Sequence, residues 1–289
     1  MPASLRPNGR PIALIIARAT LLAYPELLPE LADALHTRGY GVLLQVIDHE
    51  READAALTAL DQGSVAGVIA AVRPSDGAIA RAGRVPLLLY NCHAADPTVD
   101  SVSCDHAACG DSLATLLLAA GHRRFGIIAV SGLVGVERAA GAVDTLRKGR
   151  ALTIETVRGN YSYASGAAAL DELFARMKPR PSAIIAVNDA MAIGALDRAR
   201  ALQVRVPRDL SVVGIDGTQA ARLPSYELTT MRQPLRRLAT TAVDLLLDRI
   251  VNPARPVQIR LFGGQLIVGR TARLERPVRR ATAAPTRND

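Results

Sequence analysis

The sequence has no tryptophan, and aromatic residues make up only 3% of its 289 residues. Its cores must therefore be aliphatic, and the aromatic platforms on which single-stranded nucleic acid stacks are excluded. Only three cysteines occur, Cys92, Cys104 and Cys109. They are too few and too odd in number for a disulfide framework, which points to a reducing compartment. No run reaches the ~18 uninterrupted apolar residues of a membrane span, and the opening MPASLRPNGRP lacks the apolar segment of a secretory signal. A soluble, cytoplasmic protein without a membrane partner is expected. Catalytic signatures are missing too: there is no GxxxxGK[ST], no GxGxxG after the first strand, no GxSxG and no HExxH. The expectation is no enzyme and no cofactor.

What is present is length and aliphatic mass. At 289 residues with 49% hydrophobics, two lobes are the natural division. The net charge of +8 sits mostly at the ends. Arg6 and Arg10 stand at the front, and Arg270, Arg273, Arg276, Arg279, Arg280 and Arg287 against Glu275 and Asp289 at the back. Solvated basic ends around a nearly neutral body explain this charge without nucleic acid.

Hydrophobic periodicity predicts a linker over 1–11, then strands over 12–17, 41–47, 67–71 and 86–90 separated by helices over 25–37, 50–62 and 78–82, with 18–24 as a loop. The rhythm restarts with helices over 105–120, 137–146, 165–177, 190–201 and 234–250 around strands over 125–130, 153–158, 183–187, 210–215 and 257–262. Such alternation belongs to α/β folds with doubly wound parallel sheets. Residues 275–289 read as a disordered basic tail.

Five segments, GHRRFGII (121–128), VNDAMAIGAL (187–196), VPRDLSVVGID (206–216), LTTMRQP (228–234) and LLLDRIVN (245–252), resemble in order and spacing the ligand-sensing region of LacI/GalR bacterial transcription regulators. The resemblance covers about 11–274. It implies a type I periplasmic-binding-protein-like fold, two doubly wound parallel-sheet lobes joined by three crossovers around a small-molecule cleft. Carried onto this chain, the topology puts the crossings near Cys104-Asp105, at Arg232-Gln233-Pro234 and near 255–258. The first lobe would be 12–105 plus 234–255, and the second 106–233 plus 256–274. Residues 3–10 resemble only the tail of the family's hinge helix and linker. Operator DNA is thus expected as a partner only through a helix-turn-helix that this chain does not carry. The family also implies a homodimer, with 25–37 and Leu21-Leu22 as part of its face. A solute-binding protein for transport, which shares the fold, is the alternative reading.

The resemblance further assigns site residues. Arg138 and Asp216 match the family's arginine and aspartate grip on polar ligands, a donor fork facing an acceptor; a structural ion pair is the other reading. Asn188 and Asp189 follow a strand and precede a helix, as ligand contacts or as caps. Tyr161 matches an aromatic wall or is simply exposed. Arg18, Tyr24 and Asn91 lie at first-lobe strand ends, with Thr20 beside them. Asp105 and His106 match a polar pair at the first crossing, and Asp105, Arg232, Gln233 and Pro234 are the expected hinge. The implied effector is a small polar molecule, by family habit a sugar or related polyol rather than a nucleobase. A metal at Cys92, His93, Cys104 and Cys109 fits no standard zinc spacing, and none is expected.

Overall fold

The computed structural model describes residues 9–60, 63–83, 85–92 and 98–274. Most of the expected linker, all of the expected tail and His93 lie outside the described residues. The first half of the chain runs β1 (Ile12–Ala17), α1 (Arg18–Ala23), α2 (Leu27–His36), β2 (Val42–Ile47), α3 (Ala53–Ala59), β3 (Gly67–Ala70), α4 (Asp76–Ala82), β4 (Leu87–Tyr90) and β5 (Asp100–Cys104). The second runs α5 (His106–Ala119), β6 (Arg124–Ala129), α6 (Leu133–Lys148), β7 (Thr153–Arg158), α7 (Tyr163–Arg176), β8 (Ala183–Ala186), α8 (Asp189–Ala201), β9 (Ser211–Asp216) and β10 (Thr229–Arg232). Helix α9 (Leu235–Val251) and strands β11 (Ile259–Phe262) and β12 (Gln265–Ile267) complete the described chain.

The two halves repeat one topology. One sheet has the order β2-β1-β3-β4-β5-β11 and the other β7-β6-β8-β9-β10-β12. All pairings are parallel except β12 against β10. The central strand β1, IALIIA, is buried along its whole length, as continuous aliphatic runs in doubly covered parallel sheets must be. The core is aliphatic as composition required, with Tyr90 and Phe125 the largest fully buried side chains. Helix α9 follows the second sheet's β10 yet buries Leu238, Val243 and Leu246 against α2 and strands β3 to β5 of the first lobe.

The chain crosses between sheets three times: at Asp105 after β5, at Gln233-Pro234 after β10, and at Gly263-Gly264 between β11 and β12. The third crossing differs from the expected 255–258. Ile259–Phe262 pairs in register with Ser101–Cys104 of the first sheet, so the chain changes lobes only after β11. A buried carboxylate explains the displacement. Asp100 meets Arg249 Nη2 at 3.0 Å and Arg255 Nη2 at 2.6 Å and accepts the Gln258 backbone N–H at 2.8 Å, tying the end of α9 and the approach to β11 onto β5. Residues 18–24 also differ: α1 forms there with no side-chain cap, which left no signal for a helix.

Two further devices place the second lobe. His122, 2% exposed, contacts Ser182 Oγ through Nδ1 at 3.0 Å, and Ser211 Oγ and the Arg273 carbonyl through Nε2 at 3.1 and 3.2 Å. It thereby joins the start of β6 to the starts of β8 and β9 and to the last described segment. Helices α5 and α6 meet backbone to backbone. A Cβ on Gly110 would lie 2.0 Å from the Arg138 carbonyl oxygen, and one on Gly141 2.1 Å from that of Ala107.

Candidate functional site

In open parallel sheets, ligands gather beyond the strand carboxyl ends where strand order reverses. Here two such edges face each other. A cleft lies between them, and its polar wall comes from residues just past the strands. Tyr24 follows β1, Arg73 follows β3 and Asn91 ends β4; Tyr161 follows β7, Asn188 follows β8 and Asp216 ends β9. Arg138 projects from α6, and Gln233 comes from the second crossing.

The centre of the wall is an ion pair. Arg138 Nη1 stands 3.0 Å from Asp216 Oδ1, with side chains 3% and 6% exposed. Arg138 also donates to the Val187 carbonyl at 2.7 Å and through Nε to His106 Nδ1 at 3.2 Å. Asp216 Oδ1 accepts from Gln233 Nε2 at 2.7 Å, and its backbone carbonyl accepts the Tyr24 hydroxyl at 3.2 Å. Burial raises the pKa of Asp216, and the Arg138 charge opposes that rise. Burial, helped by the Asp216 charge, pushes the Tyr24 phenol far above its ordinary value, so it stays a hydrogen-bond donor.

Around this pair the backbone is held in sparsely populated conformations. Asn91, Tyr161 and Asp216 have φ of 57°, 67° and 139°, values that side-chain-bearing residues adopt only when the surroundings enforce them. Strain of this kind gathers at ligand sites, and all three residues line the cleft. Asn188 does two jobs: its Oδ1 accepts the Met191 N–H at 3.0 Å, capping α8, and its Nδ2 donates to the Tyr161 carbonyl at 3.0 Å. Capping and cleft lining are thus not alternatives.

Other expected residues stand elsewhere. Arg18 turns away to pair with Asp48 at 2.6 Å, both about 60% exposed. Asp189 is fully buried behind the wall, accepting from Thr218 N at 2.8 Å and Thr230 Oγ1 at 2.6 Å. Burial first, and the Asp216 charge second, push its pKa up to about 7. Asp105 caps α5, accepting from Ala108 N at 2.9 Å. Arg232 lays its stem over the site of Gly217, and Pro234 is the N-cap residue of α9. His106 joins Asn91 to Arg138 by contacting the Asn91 carbonyl through Nε2 at 3.3 Å. Cys104 and Cys109 place their sulfurs 3.7 Å apart in the core. Among the described residues no group of three or more His, Cys, Asp or Glu could hold a metal ion.

Sequence reasoning missed Arg73, Leu133 and Val134 in the cleft and gave Gln233 only to the hinge. No periodic or motif signal marks these three, one from the loop after β3 and two from the start of α6, which meet only in the folded chain.

Two α/β lobes with three crossings and a polar cleft at their facing strand ends define a two-lobed small-molecule-binding domain. The family model described as a periplasmic binding protein-like domain matches residues 114–272. The transcriptional repressor PurR of Yersinia enterocolitica is 30% identical over 260 residues, 86% of this chain and 76% of the repressor. A LacI transcriptional regulator from a Rhodococcus species superposes with a TM-score of 0.81 at 26% identity, over 92% of this chain and all of that one. The transcriptional regulator CelR, solved as a cellobiose complex, gives a TM-score of 0.81 at 27% identity over 91% and 86%. The chain belongs to the LacI/GalR family of transcription regulators, a non-enzymatic family, and comprises its effector-binding domain. The fold class read from the sequence is borne out, and these relatives are transcription regulators rather than transport proteins. No helix among the described residues is long and apolar enough to cross a membrane.

Proposed function

We propose that this domain closes its lobes on a small polar effector, a sugar or related polyol, and so controls operator binding by the regulator to which it belongs. The observation that carries the reading is the buried Arg138–Asp216 pair at the wall of an inter-lobe cleft. An arginine fork beside a carboxylate offers donors and acceptors together, which is what a polyhydroxyl molecule requires. The cellobiose bound by CelR, a neighbour at 27% identity, supports a carbohydrate. With the third crossing moved, the lobes comprise 12–104 plus 235–262 and 106–232 plus 265–274, with Asp105, Gln233-Pro234 and Gly263-Gly264 as hinges.

Closure would shift first-lobe contacts between two copies, a population shift between open and closed states. Leu22, 78% exposed, and the exposed apolar residues of β2 supply surface for a homodimer near α2. A monomer in sedimentation velocity at micromolar concentration would refute the dimer.

Thermal-shift screening of sugars and nucleobases tests the effector, because a ligand bound only by the folded state stabilises it with the logarithm of its concentration. A sugar is expected to raise the melting temperature in the wild type, and neither Asp216→Ala nor Arg138→Ala should retain the shift. Retention in both variants overturns the site.

A further inference from the structure

We propose that the pole of the second lobe turned away from the cleft binds the phosphate backbone of duplex DNA without reading its sequence. The carboxyl ends of β6 to β9 face the cleft, and these strands run parallel, so their amino ends all lie at the opposite pole. Four stretches lead into those ends: 121–124 into β6, 147–152 into β7, 177–182 into β8 and 203–210 into β9. Together they carry nine arginines and lysines and a single carboxylate, Asp209. The connections at the cleft end of the same strands, 130–132, 159–162, 187–188 and 217–219, carry no cation. In the first lobe, the stretches 9–11, 37–41, 63–66, 83–86 and 93–99 that lead into β1 to β5 hold only Arg10, Arg38 and Arg84. Positive charge is thus concentrated at one pole of one lobe.

The four stretches form one surface. Arg124 Nε donates to the Arg180 carbonyl at 3.0 Å, the Leu152 N–H to the Arg123 carbonyl at 2.7 Å, and the Ser211 N–H to the Ser182 carbonyl at 3.0 Å. Most of its cations stand open and unneutralised. Arg147, Lys148, Arg150, Lys178, Arg180 and Arg208 are exposed. Among the described residues, the one ion pair made by any of the nine is Arg205 with Asp209 at 2.7 Å. Phe174 props two of them without cancelling their charge: its carbonyl accepts from Lys178 Nζ at 2.7 Å, and its ring lies 4.3 Å under the Arg180 guanidinium. The described chain also ends on this surface, where the Arg273 N–H donates to Ser211 Oγ at 3.0 Å.

The chemistry of the surface selects the partner. Adjacent strands lie about 4.8 Å apart, so the neighbouring ends of β7, β6, β8 and β9 span roughly 15 Å. A duplex presents one phosphate charge per ~1.7 Å of axis, about nine over that length, a density that nine cations match. The four stretches contain no Phe, Tyr or Trp, the residues on which single strands stack and which anchor protein interfaces. Leu152, 75% exposed, is their one large apolar side chain open to water. Loops and a helix end supply the cations, and nothing there is shaped to enter a groove, so contact stops at phosphate. The surface belongs to the lobe that β1 does not open, which separates this contact from operator recognition and from whatever the cleft binds.

The test is fluorescence anisotropy of a labelled duplex of arbitrary sequence titrated with the full chain at about 50 and about 150 mM NaCl, with a single strand of the same length, poly-L-glutamate and phosphatidylserine vesicles as competitors. The duplex is expected to bind at the lower salt, and four phosphate contacts would weaken it roughly fiftyfold at the higher. The triple variant Arg147→Glu, Lys148→Glu, Arg150→Glu should lose tenfold or more in affinity, as should the double variant Lys178→Glu, Arg208→Glu on two other stretches. Arg51→Glu, Arg81→Glu and Arg260→Glu together, three reversals at exposed positions of the first lobe, should cost less than threefold. Wild-type melting temperatures confirm that each variant is folded. Absence of duplex binding at the lower salt, equal losses in the second-lobe and first-lobe variants, or displacement by single strand, polyglutamate or vesicles as effective as by unlabelled duplex would each overturn the inference.

Discussion

His122 and Arg138 show how differently one buried polar residue and another respond to change. Burial lowers the pKa of His122 to about 4, whereas an unfolded histidine titrates near 6.5. Below pH 6.5 the unfolded chain takes up a proton that the native state refuses, so stability falls as pH drops from about 6.5 to about 4. Urea titrations at pH 7.5, 6 and 4.5 should show a steeper loss in the wild type than in His122→Asn; parallel losses would refute the assignment. For Arg138, truncation leaves Asp216 buried without its counter-charge. Arg138→Ala is expected to destabilise by about 3–5 kcal/mol, whereas replacing both partners by apolar residues of similar volume should cost less. Equal losses in the single and double variants, measured by denaturant unfolding, would count against a true buried pair. At this scale the sequence was informative wherever a residue ends a strand. Asp216, Asn188 and Asn91 were legible because strand ends are legible, whereas Tyr161 was reached only through the family resemblance. Arg73 was not, since nothing in AAVRPSD distinguishes a cleft arginine from a surface one until β3 is set beside α6. Arg18 misled for the converse reason: it too follows a strand, but the first turn of α1 points it at Asp48.

At the scale of elements, the position of the cleft wall depends on how closely α5 and α6 approach. Gly110 contacts the backbone at Arg138 itself, so a methyl group there pushes against the turn that carries the cleft arginine. Alanine favours an exposed helix over glycine by about 1 kcal/mol, but overpacking reverses the sign. Gly110→Ala is expected to destabilise by about 1–3 kcal/mol and to weaken effector binding, read by thermal melting and titration together. A stabilised variant would show that the helices can part freely. Most elements were legible because aliphatic runs alternate with amphipathic ones. Strand β12 was not: it is three residues long and is defined by its partner β10. The third crossing was misplaced for a related reason, as β11 takes its lobe from pairing with β5 and from the Asp100 staple, both long-range facts.

Across the whole molecule, the hydrogen bonds that join the lobes over the cleft among the described residues include three of unequal exposure. Tyr24 donates to the Asp216 carbonyl, His106 bridges Asn91 and Arg138, and the Gln219 N–H donates to Glu26 Oε1 at 2.6 Å. The last lies nearest solvent. A hydrogen bond to a charged group contributes about 1.5–3 kcal/mol at most, so Glu26→Ala should lower effector affinity by roughly tenfold and enlarge the radius of gyration in solution scattering. Unchanged affinity and radius would show that closure does not depend on this latch.

The left-handed backbone at Asn91, Tyr161 and Asp216 also bears on how such a sensor could change its taste. Those three positions tolerate few replacements, because a new side chain must accept the same unfavourable geometry. Ala19, Ala23, Leu133 and Val134 line the same cleft on ordinary helical backbone and carry no such restriction. Evolution, or an engineer building a biosensor, would therefore retune this protein by varying the small apolar positions and leaving the strained ones alone.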